Sequence, residues 1–63
     1  MRVGENIRSI REERKMTMQE LADAIGCSKA YICMVEQGRR IPNAVMLKHI
    51  ATSLGTSADQ LLL

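Results

Sequence analysis

The sequence predicts an all-α fold, a compact bundle of five short helices, and three observations carry that reading. Apolar residues recur at helical spacing in five successive stretches. The last four of those stretches follow directly on Thr, Ser or Asn, the residue types that cap helix N-termini. Gly and Pro number only four and one in 63 residues, too few for the turns of an all-β chain of this length.

Val3, Ile7 and Ile10 recur at i, i+4 and i+7 through a first helix that should end near Arg14 or Lys15. No capping residue stands before Gly4 to mark its start. Thr17 caps a second helix, and Glu20 three residues later completes a capping box. Met18, Leu21, Ala22 and Ile25 form its apolar stripe, and Gly26 ends it. Ser28 caps a third helix almost at once; Ile32 and Val35 point it at the core, and it should stop at Gly38. Arg39-Arg40-Ile41-Pro42 reads as a loop, because Pro42 biases Ile41 toward extended backbone. Asn43 then caps a fourth helix carrying Ala44, Leu47, Ile50, Ala51 and Leu54, closed by Gly55. Ser57 caps a short fifth helix with Ala58, Leu61 and Leu62.

Residues 1–63 read as one domain, near the lower size limit for folding without staples. The hydrophobic content is 46 %, yet Tyr31 is the only aromatic, so Ile, Leu, Val, Met and Ala must fill the core. Cys27 and Cys33 on one helix would be separated by a rise of roughly 9 Å, which argues against a disulfide. His49 stands alone and no Cys-x-x-Cys pair occurs, so neither a metal nor another cofactor is expected. The N-terminus is charged and no apolar run is long enough for a membrane span. These features suit a reducing cytoplasm. No nucleophile–base pair, paired carboxylates or glycine-rich phosphate loop suggests an enzyme, and no small-molecule ligand is evident.

The formal net charge is only +2, but it is unevenly spread. Basic and acidic residues balance through residue 26. Between 27 and 56, Lys29, Arg39, Arg40 and Lys48 face Glu36 alone, and Asp59 is the one charge beyond. The positive excess thus lies mid-chain, where a polyanion would meet it.

The second and third helices, joined by Ala24-Ile25-Gly26-Cys27, form a helix-turn-helix over about residues 18–37. Gly26 tolerates the positive φ of the sharp turn, and small Ala22 lets the two helices approach. On a wheel of about 100° per residue, Ala30, Met34 and Gln37 lie opposite Ile32 and Val35, flanked by Tyr31 and Cys33. That outward face is small and thinly charged, where a merely solvated helix carries Glu and Lys. Such a face suits contact with a partner, and the N-terminal half of a recognition helix meets base edges. Glu36 falls on the core side of the third helix, and Arg11 on the apolar side of the first. An unpaired buried carboxylate is costly, so Arg11 and Glu36 are expected to form a structural ion pair.

In order and spacing, the chain resembles the Cro/phage-repressor type of helix-turn-helix domain, also called the xenobiotic-response-element family. The residues carrying this are Ile7-Arg8…Arg11, Thr17-x-x-Glu20-Leu21-Ala22, Gly26-x-Ser28, Ile32…Val35-Glu36-x-Gly38 and Pro42. The match continues through Leu47…Ile50-Ala51…Leu54-Gly55…Ser57-Ala58-Asp59-Gln60-Leu61-Leu62. The resemblance implies a five-helix domain of the phage-repressor DNA-binding type. It further implies a transcriptional repressor that sets its third helix in the major groove, as a homodimer on a two-fold double-stranded DNA operator. By position Lys29, Ala30 and Met34 would approach bases, with Cys33 beside them and Tyr31 near the sugar–phosphate backbone; Ser28 and Gln37 border this set. Asn43, Arg39 and Arg40 would meet phosphates. Family members often place a phosphate-binding Gln first in the second helix, whereas here Met18 takes that place and Gln19 follows. The dimer contact would fall on Thr56, Ala58, Gln60 and Leu63, a small and largely polar set that implies a weak dimer without DNA. The outward face of the third helix would also serve a protein partner, as in antitoxin or assembly modules of this fold. The central basic excess favours DNA.

Overall fold

The computed structural model describes residues 2–63. It contains five helices and no strand among them: α1 (Val3–Glu13), α2 (Met18–Ile25), α3 (Lys29–Glu36), α4 (Ala44–Leu54) and α5 (Ala58–Leu61). Four helices start on a side-chain cap. The Thr17 hydroxyl accepts from the Glu20 amide at 3.0 Å while the Glu20 carboxylate accepts from the Thr17 amide at 2.8 Å. Ser28, Asn43 and Ser57 accept from the amides of Tyr31, Met46 and Gln60 in the same way. Each cap satisfies a donor that a helix N-terminus otherwise leaves to water. α1 has no such cap and begins on Arg2.

Two helix ends fall within two residues of the expected stops, at the Arg14 cap of α1 and just before Gly38, and α5 differs. α1 stops at Glu13, and Lys15 reverses the chain with φ 58°, the only described non-glycine residue at positive φ. α3 ends at Glu36 with Gln37 as its C-cap, ahead of Gly38. Leu62 is the C-cap of α5 and 43 % exposed rather than part of its apolar side. A single-turn helix has room for one inward leucine, and Leu61 takes it.

Ile7, Leu21, Ile32, Ile50, Leu54 and Leu61 are fully buried and draw all five helices onto one core. Burying each such side chain stabilises the fold by about 1.5–3 kcal/mol before chain entropy is set against it. Around this core, polar side chains tie the helices together. Asn6 donates to the Leu61 carbonyl at 2.9 Å, joining α1 to α5. The Arg14 guanidinium donates to the Leu54 carbonyl at 2.9 Å, closing the C-terminus of α4. Gly4 allows α1 to approach α3 closely. A Cβ there would overlap the Val35 carbonyl oxygen and stand 2.8 Å from that of Glu36. α1 therefore lies directly against the last turn of α3.

Candidate nucleic-acid interface

α2 and α3 are held at a fixed angle by a three-residue connection. Gly26 adopts φ 76°, a left-handed conformation with no neighbour in the way, and the Cys27 amide donates to the Ala22 carbonyl at 3.0 Å. An L-residue at that φ would be strained by about 1–2 kcal/mol. Leu21 and Ala22 of α2 and Ile32 and Val35 of α3 are buried in the same core. With that side of α3 in the core, Lys29, Ala30 and Gln37 are exposed, and Tyr31, Cys33 and Met34 are half-buried.

Glu36 is the only carboxylate in α3, and its side chain is 5 % exposed. Arg11, 8 % exposed, grips it with both ends of the guanidinium. Nε donates to Oε2 at 2.7 Å and Nη2 to Oε1 at 3.1 Å. The remaining Nη1 donates to the Met16 carbonyl at 2.7 Å, so the same side chain also fixes the α1–α2 loop. Hydrogen bonding to Glu36, partly opposed by burial, holds the Arg11 pKa above its ordinary value, so the guanidinium stays charged. A planar, bidentate geometry of this kind is the strong form of an arginine–carboxylate contact. Its consequence for the surface is direct. The acidic charge of α3 is buried and neutralised, and Lys29 is the only charge on the exposed side of the helix.

Beyond α3 the chain turns back over the helix end. The amides of Arg39 and Arg40 both donate to the Met34 carbonyl, at 2.9 and 3.3 Å. The Arg40 guanidinium carbon then sits 5.7 Å from the centre of the Tyr31 ring, within cation–π range. Asn43 is exposed, and its side-chain oxygen is occupied by the α4 cap. Gln19 is exposed too, but its amide donates to Asp23 at 2.8 Å on its own helix.

The four residues expected at a dimer contact lie near the end of the chain. Gln60 and Leu63 are exposed, the latter by 81 %, whereas Thr56 and Ala58 are half-buried, with Ala58 against the core. Lys48 and His49 are exposed on α4. Both cysteines are free thiols, and burial pushes the Cys27 thiol pKa up. Among the described residues no cluster of three or more His, Cys, Asp or Glu could hold a metal ion, and no helix is long and apolar enough to cross a membrane. The sequence reading did not find Gly4, the Arg14 and Asn6 contacts, or the Arg40–Tyr31 stack. Only Gly4 left a trace there, as a glycine inside a helical pattern.

A capped pair of short helices, joined at a left-handed glycine and presenting the outer side of the second, defines the helix-turn-helix class. The chain belongs to the helix-turn-helix domain family, whose model it matches over residues 4–63. It is 43 % identical over 58 residues to an uncharacterized HTH-type transcriptional regulator of Mycobacterium tuberculosis, covering 92 % of this chain and 41 % of that protein. Among solved structures it is similar to the DNA-binding domain of the P22 C2 repressor, with TM-score 0.94 and 31 % identity over 98 % of this chain and 82 % of the other. It is also similar to SinR, a master regulator for biofilm formation solved in complex with DNA. There the TM-score is 0.90 and the identity 27 %, over 97 % of this chain and 98 % of that one. The fold is thus that of phage-repressor DNA-binding domains. The chain spans less than half the length of the mycobacterial relative.

Proposed function

We propose that this chain binds double-stranded DNA sequence-specifically as the DNA-binding unit of a cytoplasmic transcriptional repressor. The observation that carries the reading is the chemistry of α3. Its one carboxylate is buried against Arg11, and its exposed side offers Lys29 with small or apolar neighbours to a polyanion. The names of its relatives, a P22 repressor domain and a DNA-bound regulator among them, support the same reading. In it, α3 enters the major groove. Lys29 reaches guanine O6 and N7, while Ala30 and Met34 pack on thymine methyls, since neither makes bidentate hydrogen bonds. Cys33 and Gln37 border this set. Ser28, Tyr31, Arg39, Arg40 and Asn43 line the sugar–phosphate backbone, with the α4 N-terminus adding its dipole. Gln19 joins them once it releases Asp23. Two copies meet through Thr56, Ala58, Gln60 and Leu63 on a two-fold operator, weakly in the absence of DNA.

The deciding experiment is selection of binding sites from a random duplex pool, followed by titration of the winner over a salt series. Enrichment of a thymine-containing, two-fold motif is expected, with affinity falling steeply as salt rises. Failure to enrich any sequence would overturn the reading and leave the α3 face to a protein partner.

A further inference from the structure

We infer that Tyr31 is a positioning residue, whose ring holds the Arg40 guanidinium ready for a backbone phosphate of the bound DNA. The inference rests on the DNA-binding reading and assigns a separate task to a residue that would otherwise count as one more backbone contact. Arg39 and Arg40 are adjacent, both exposed, and both anchored through their amides to the Met34 carbonyl. Their side chains differ. Arg40 lies over the Tyr31 ring at 5.7 Å, whereas Arg39 stacks on no ring among the described residues.

Tyr31 is suited to this task by its place in α3. It sits in the first turn, its amide is fixed by the Ser28 cap at 3.1 Å, and its ring is half-buried against the core. The ring is thus a rigid platform, while the loop that brings Arg40 to it is pinned to the far end of the same helix. Among the described residues no carboxylate lies within ion-pair distance of Arg40, so stacking leaves its charge uncompensated. An unstacked arginine has many rotamers to lose on meeting a phosphate, and a pre-oriented guanidinium loses fewer. Among the described residues the Arg40 guanidinium donates to no partner, so its planar donors are free for a phosphate.

The test is a double-mutant cycle on DNA affinity, using the tightest duplex recovered from the random pool. Arg40→Ala should weaken binding and lower the slope of log affinity against log salt by about one. Tyr31→Leu should weaken binding about 2- to 5-fold, the range of an exposed cation–π contact. Tyr31→Phe, which keeps the ring and removes only the hydroxyl, should retain the coupling to Arg40, so that its loss is the same with and without Arg40→Ala. In the Arg40→Ala background, Tyr31→Leu should cost clearly less than in the parent, the difference being the coupling between ring and guanidinium. In the free protein, NMR should show ring-current shifts on the Arg40 side-chain protons that vanish in Tyr31→Leu and persist in Tyr31→Phe. Equal losses from Tyr31→Leu in both backgrounds would overturn the inference, showing that Tyr31 acts on DNA by itself. So would an Arg40→Ala protein that binds as the parent does, or a parent without the ring-current shifts. Absence of any DNA binding by the parent would instead remove the reading on which the inference rests.

Discussion

Replacing Arg11 with methionine separates charge from packing, because the methionine stem fills the space of the arginine stem and removes only the guanidinium. Three hydrogen bonds donated by Arg11 are lost, two to Glu36 and one to the Met16 carbonyl. The Glu36 side chain, 5 % exposed, keeps its burial and loses its counter-charge. Breaking a buried pair in this one-sided way costs about 3–5 kcal/mol. At about 0.05–0.15 kcal/mol per residue, a chain of this length has roughly 3–9 kcal/mol in all. Arg11→Met should therefore lower Tm by at least about 12 °C, at about 4–8 °C per kcal/mol for a domain this small. Adding Glu36→Met should recover most of that loss, because two apolar side chains replace the ion pair without leaving a lone charge. Urea titration followed by far-ultraviolet circular dichroism measures all three proteins. A loss below about 1 kcal/mol in Arg11→Met, the level of an exposed pair, would refute the reasoning. A double variant no more stable than the single one would refute it equally.

Gly4→Ala should destabilise by about 1–3 kcal/mol, the usual cost of overpacking, in the same urea titration, because the new Cβ meets backbone that cannot swing aside. Lys15→Gly should stabilise the fold by about 0.5–1 kcal/mol, since the residue already sits at φ 58°, where a side chain is strained. Cys27 should alkylate more slowly than a free thiol at pH 8, read by mass spectrometry on a Cys33→Ser background, because burial holds its thiol neutral. The linked effect on stability has a definite sign. As pH rises, the unfolded thiol ionises first, so the stability from Cys27 is whole below the ordinary thiol pKa and is lost as pH climbs to the folded value.

What was legible in the sequence was legible for local reasons. Thr17 with Glu20, Ser28, Asn43 and Ser57 announce helix starts because a cap acts within three residues of itself. The inward side of each longer helix follows from periodicity, and the same wheel places Arg11 and Glu36 on core sides, where two charges must find each other. The missed features depend on where one helix lies against another. Asn6 and Leu61 are separated by 55 residues. Arg14 and Leu54 are 40 apart, and nothing in either neighbourhood marks the pair. Gly4 reads as a weak helix former until the Val35 and Glu36 carbonyls are seen beside it. At the candidate interface, exposure of Ala30 and Gln37 follows from the wheel, whereas Lys29 is exposed although the wheel puts it toward the core, and Met34 is half-buried although the wheel puts it outward. The Arg40 stack does not follow from the wheel, because it depends on how the loop after α3 folds back.

The bond between Asn6 and the Leu61 carbonyl also bears on how the chain is made. Synthesis proceeds from the N-terminus, so α1 emerges well before its partner on α5, 55 residues further along the chain. Until then the core lacks Leu61, one of its fully buried side chains, and has an open side. α2 and α3, only two residues from cap to cap, can associate much earlier. The helix pair should therefore form on the nascent chain, with α1 docked on α3 through Arg11 and Glu36, before the bundle around it can close.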